Sequence, residues 1–146
     1  MTTLNPYLVF KGNCEEAFSF YKTVFGNEFL FVGRFKDMPE NNNKPISELD
    51  KELIMHISLP ISKETVLYGC DTSGAFSTST ILGNNISLSV ETDSIEEATR
   101  IFKGLSEGGK ITMPMAKTFW DAYYGMLTDK FGINWMVNYD LSISKS

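Results

Sequence analysis

The chain has 146 residues, 42% hydrophobic and 13% aromatic, with a formal net charge of -5. That length suits one compact domain, and that apolar content excludes a disordered chain, which lacks the surface to offset its conformational entropy. An acidic chain without a basic stripe excludes a nucleic-acid binder, and no run nears the roughly 18–20 apolar residues of a membrane-spanning helix.

Residues 4–11 (LNPYLVFK) are short and apolar, like a half-buried strand. Gly12 ends it, and Asn13 can cap a helix, with Glu16 three residues on as in a capping box. Apolar residues at Cys14, Ala17, Phe18, Tyr21, Val24 and Phe25 then mark one helical face, and Gly26 is a natural stop. Residues 28–35 (EFLFVGRF) are aromatic and β-branched, hence a strand. Residues 37–51, with two prolines and three consecutive asparagines, read as a long loop of the kind that serves as a lid. Strands are predicted at 52–60 and 65–71, followed by a Ser/Thr-rich connection at 74–81. A strand at 85–92 leads to a second helix, capped by Ser94 with Glu97 completing the box, its apolar face Ile95, Ala98, Phe102 and Leu105. Gly108 and Gly109 stop it, and strands follow at 110–116, 119–128 and 133–141, with Asp129 and Gly132 marking the last turn.

The two helices repeat. At an offset of 81, Glu15, Glu16, Ala17, Tyr21 and Lys22 meet Glu96, Glu97, Ala98, Phe102 and Lys103. The strand with Val9 meets the strand with Val90, and three strands follow each helix. The expected architecture is α+β: two βαβββ modules, 1–72 and 84–146, joined by a linker at 73–83. One helix covers one face of each twisted sheet, the other face stays concave, and two such sheets side by side would form a cup.

Paired βαβββ modules resemble the vicinal oxygen chelate superfamily, which includes glyoxalase I, extradiol dioxygenases and the fosfomycin and bleomycin resistance proteins. The segments NPYLVFKGNCEEAFSFYKTVFGN, HISLPISKETVLYGCDT and TFWDAYYGMLTDKFGINWMVNY look closer to its PhnB-like branch. Some members of that branch carry the label 3-demethylubiquinone-9 3-methyltransferase. Here no glycine-rich loop after a strand suggests a methyl-donor cofactor. The resemblance implies a cupped mixed sheet, a homodimer, and in metal-using relatives a site built from strand side chains. By resemblance those ligand positions fall on Pro6, near Asn84, Asn85 or Ser87, and on Met136. None suits a divalent ion, so no metal and no other cofactor is expected.

His56 is the single histidine and lies mid-strand. It reads either as a wall residue of a pocket or as a general base, with Asp71 a candidate to orient it. Alternation puts Trp120, Tyr124 and Met126 on one strand face and Phe119, Tyr123 and Leu127 on the other. The resemblance implies that the Trp120 face lines the cup, which nominates Phe10, Tyr68, Trp120, Tyr124, Met126 and Met136 as ligand-binding residues beside His56. The expectation is a homodimeric small-molecule binding protein with an aromatic, metal-free cavity. The alternatives are a lyase or isomerase on a small oxygenated or phosphonate-like substrate, using His56 and a non-standard metal site, and a purely structural module. Two cysteines without CxxC spacing, and a start without basic or cleavage-site residues, fit a cytoplasmic protein with no partner in membrane or nucleic acid.

Overall fold

The computed structural model describes residues 1–39, 46–72 and 80–142. The centre of the 37–51 loop and most of the 74–81 connection therefore lie outside the described residues. Among the described residues, two α-helices, a short 3-10 turn at Phe35–Asp37 and eight strands make two compact units, Met1–Ile81 and Leu82–Ser146. Each carries one helix and one four-stranded mixed sheet.

In the first unit, β1 (Tyr7–Phe10) leads to α1 (Cys14–Phe25), then to β2 (Phe31–Arg34), β3 (Ile54–Pro60) and β4 (Val66–Asp71). The sheet order is β1-β4-β3-β2, with β1 parallel to β4 and the other pairs antiparallel. The helix buries Cys14, Ala17, Phe18, Tyr21 and Val24, nearly the whole face its periodicity defines. Gly69 lets it approach closely: a Cβ there would stand 2.5 Å from the Phe18 ring. Gly26 takes the left-handed conformation at φ 83° and returns its N–H to the Lys22 carbonyl, closing the helix.

The start of α1 differs from expectation. The Asn13 side chain makes no capping hydrogen bond. The buried Asp71 carboxylate replaces it: Oδ1 accepts from the N–H of Gly12 and of Cys14 at 2.9 Å, and Oδ2 accepts from Ile54 N–H at 2.9 Å. A residue 57 positions away thus satisfies the first orphan amide of the helix, that of Cys14.

In the second unit, β5 (Leu88–Glu91) leads to α2 (Ile95–Ser106), then β6 (Lys110–Lys117), β7 (Ala122–Thr128) and β8 (Asn134–Asp140), in sheet order β5-β8-β7-β6. The Ser94 side chain accepts from Glu97 N–H at 3.0 Å, the expected cap. The buried face is Ala98, Ile101, Phe102 and Leu105; Ile95, expected on that face, is 40% exposed at the first position of α2. Gly125 sits beneath Phe102 as Gly69 sits beneath Phe18. The β7–β8 turn is pinned by the buried Asp129, whose carboxylate accepts from Phe131 N–H, Ile133 N–H and Trp135 Nε1–H at 2.8 to 3.0 Å.

The repeat holds for the order of elements and for most of the helix core. It fails by one residue in the opening strands. Leu8 pairs with Gly69 and so faces α1, which turns Val9 to the open face. Val90 pairs with Val137, itself the partner of Gly125, and so faces α2. The helices superpose at an offset of 81, but the helix-side residues of the opening strands superpose at 80, Leu8 on Leu88 and Phe10 on Val90; a one-residue slip turns a strand's side chains to the other face.

Candidate functional site

Each sheet keeps one face free of its helix. On the first, the register lines up Tyr7, Tyr68, Ser58 and Phe31 across all four strands. His56 and Cys70 lie one row along, on the same face. The rings converge: His56 is 5.5 Å from Tyr68, 5.6 Å from Tyr7 and 5.9 Å from Phe31, centroid to centroid. Gly33, opposite His56, leaves the space over which the Phe31 ring leans; a Cβ there would come within 2.7 Å of that ring. Tyr7 remains 48% exposed and Phe31 50% exposed, so the cluster presents aromatic surface outward.

The polar handle of this cluster is the hydrogen bond between Tyr7 Oη and His56 Nδ1, 3.1 Å long. Burial, reinforced by a contact to the Cys70 thiol, pushes the Tyr7 phenol above its ordinary value, so it stays protonated across the physiological range. The phenol can donate to Nδ1 or accept from it, according to the imidazole tautomer, and either arrangement leaves Nε2 outside this bond. Burial likewise raises the Cys70 thiol, which disfavours the reactive thiolate.

On the second sheet the open face has two rows. Glu91, Asn138, Tyr124 and Ala116 form one; Ser89, Met136, Met126 and Met113 form the other. Trp120 belongs to the β6–β7 hairpin and meets Tyr124 edge-on at 5.9 Å. Thr118 braces that hairpin, accepting from and donating to the backbone of Ala122, while Asp121 takes the left-handed conformation at φ 64°.

Of the residues singled out by sequence, His56 and Tyr68 meet on the first open face, and Tyr124, Met126 and Met136 on the second, with Trp120 beside Tyr124. Phe10 lies elsewhere: it is 3% exposed and packs edge-on to Phe18 beneath α1. Asp71 does not orient His56; it is buried on the α1 side of β4, occupied by three backbone amides. The residues that sequence reasoning passed over are Tyr7, Phe31 and Cys70 on one face and Ser89, Glu91, Asn138 and Met113 on the other. The alternation of Tyr7 and Val9 against Leu8 and Phe10 carried the signal, but only once the side covered by α1 is known.

Metal-using relatives need several charged or lone-pair donors converging on one point. Among the described residues no group of three or more His, Cys, Asp or Glu does so. Pro6 has no donor side chain, and Met136 offers only a thioether within an apolar row. These side chains do not fit a divalent ion.

The 3-demethylubiquinone-9 3-methyltransferase family model matches residues 2–138. Protein YjdN of Escherichia coli strain K12 is 32% identical over 141 residues, covering 92% of this chain and 93% of that protein. The crystal structure of protein PA1353 from Pseudomonas aeruginosa is 37% identical, with a TM-score of 0.81 over 96% of this chain and 98% of that one. A glyoxalase/bleomycin resistance protein/dioxygenase family enzyme from Burkholderia phytofirmans PsJN is 16% identical, with a TM-score of 0.61 over 92% and 97% of the two chains, and shares the fold alone. The chain therefore belongs to the 3-demethylubiquinone-9 3-methyltransferase family, a PhnB-like group built on the glyoxalase/bleomycin resistance fold.

Proposed function

We propose that this PhnB-like protein binds a small, partly aromatic molecule on the open faces of its sheets, and does so as a homodimer without a metal. The observation that carries the reading is the Tyr7–His56–Tyr68–Phe31 cluster on the first open face. Aromatic side chains combine a large apolar surface with fixed geometry, so they favour stacking on a planar ligand. His56 Nε2 supplies one directional hydrogen bond at the centre of that surface, with no protein partner among the described residues. The phenol of Tyr7 holds the imidazole from behind, so little ordering entropy remains to be lost when a ligand docks. Edge strand β2 supports the homodimer, since among the described residues it has one neighbour in its sheet and its Phe31 and Val32 stand half exposed.

A screen of planar compounds by thermal shift tests this. A ligand held at 100 times its dissociation constant stabilises the fold by about 2.7 kcal/mol. Tyr68→Ala and His56→Ala should abolish the shift while leaving the unliganded melting temperature little changed. A shift that survives both substitutions would overturn the placement. Monomeric sedimentation at all concentrations would remove the dimer from the proposal.

The Tyr7–His56 pair also favours a second reading, acid–base catalysis by His56 in a lyase or isomerase, because a tyrosine hydroxyl fixes the orientation that proton transfer needs. Turnover of a bound ligand by the wild type, lost in His56→Gln with binding retained, would move the assignment there.

A further inference from the structure

We propose that the open face of the second sheet binds an organic cation, an ammonium carrying methyl or aromatic groups, with Glu91 as its counter-ion. The inference rests on the small-molecule reading above and names the ligand class for one face. The Glu91 carboxylate is held in place by neutral donors alone: Asn138 Nδ2–H at 2.7 Å on Oε2 and Ser89 Oγ–H at 3.3 Å on Oε1. These bonds orient the charge without neutralising it, and among the described residues no lysine or arginine pairs with it. Across the same row lies Tyr124, with Trp120 edge-on to it, and the adjoining row is Met136, Met126 and Met113.

This combination selects a soft cation. Ring faces attract ammonium groups through their quadrupole, and thioethers are polarisable and adapt to methyl groups. An anion would meet Glu91, and a strongly hydrated metal ion would meet thioethers in place of oxygens. Strands stand about 4.8 Å apart, so Glu91 and Tyr124, two strands apart, are separated by roughly 10 Å. That span admits an ammonium centre with an apolar substituent. The register places one lysine on this face, Lys110, paired with Thr128 on edge strand β6, two rows and three strands from Glu91.

Choline and its neutral carbon isostere, 3,3-dimethylbutan-1-ol, separate charge from shape. With methionine methyl groups labelled for NMR, choline should shift Met113, Met126 and Met136 saturably, and the alcohol should bind about tenfold more weakly or not at all. Glu91→Gln, a surface change, should weaken choline about five- to tenfold and leave the alcohol unaffected. Equal response to both probes, indifference to Glu91→Gln, or shifts confined to Met38 and Met55, which belong to the first unit, would overturn the proposal. If planar neutral compounds perturb His56 while choline perturbs none of the three methyl groups, the cation site falls and the small-molecule reading stands. If neither class binds anywhere, both fall.

Discussion

The two units follow one plan and finish it differently. In each, a helix follows the first strand and rests over a glycine, Gly69 under Phe18 and Gly125 under Phe102. Each buries one aspartate that gathers three N–H donors, Asp71 and Asp129. Yet Asp71 caps α1 from a distant strand, whereas α2 is capped locally by Ser94 and Asp129 organises a hairpin. The open faces diverge more: rings around a histidine on one, thioethers beside a carboxylate on the other. The helix side of each sheet answers to packing, so its pattern is shared. The open side carries no helix, so packing against one does not fix its pattern and it is free to differ.

Substitutions can break the parallel, beginning with the buried aspartates. Asp71→Ala leaves three amides without their acceptor and should destabilise by on the order of 3 kcal/mol or more in urea denaturation. Asp129→Ala should cost a similar amount, and a much smaller loss would mean that the hairpin finds other partners. Next come the glycines beneath the helices. Gly69→Ala forces the Phe18 ring to move and Gly125→Ala forces both the Met115 thioether and the Phe102 ring to move, and each should cost about 1–3 kcal/mol by thermal melting. The caps should separate the units by a smaller margin: Ser94→Ala costs about 1 kcal/mol, while Asn13→Ala costs only a few tenths, because its side chain caps nothing.

The smallest effect lies on the surface of the first unit, where Glu15 pairs with Arg34. The hydrogen bond from Arg34 holds the Glu15 carboxyl below the usual carboxylate range. A depressed carboxyl contributes stability above its unfolded value and loses it as pH falls through its folded one. Glu15 is 58% exposed, so solvent screening keeps the effect to a few tenths of a kcal/mol. The difference between wild type and Glu15→Gln should therefore be small at neutral pH and vanish on strong acidification, as read from chemical denaturation across pH.

Much of the fold was legible because its signals are local. The helix of Cys14–Phe25 declares itself by spacing and by Gly26, and Ser94 by the glutamate three residues on. Strand positions followed from alternation and turn residues, with ends trimmed by one to three residues where pairing partners run out. What local pattern could not supply was parity. Whether Tyr7 or Phe10 faces the helix depends on which side of β1 the chain turns back to place α1, a tertiary choice. Phe10 was therefore taken for a site residue, and Tyr7 was passed over. Asp71 failed the same test: beside His56 in an adjacent strand, it points through the opposite face. Glu91 carries no signal of its own, because a lone glutamate closing a strand has no partner at a recognisable spacing.

The central claim is that the aromatic open face of the first unit holds a ligand and its helix face does not. An NMR titration of the whole chain with planar aromatic compounds tests it most directly. Saturable shifts are expected at Tyr7, Phe31, His56 and Tyr68, lost in Tyr68→Ala, with Ile57 and Leu67, buried on the helix side, silent. Shifts confined to Ile57, Leu67 and the residues of α1, or no response from His56 to any compound, would contradict it.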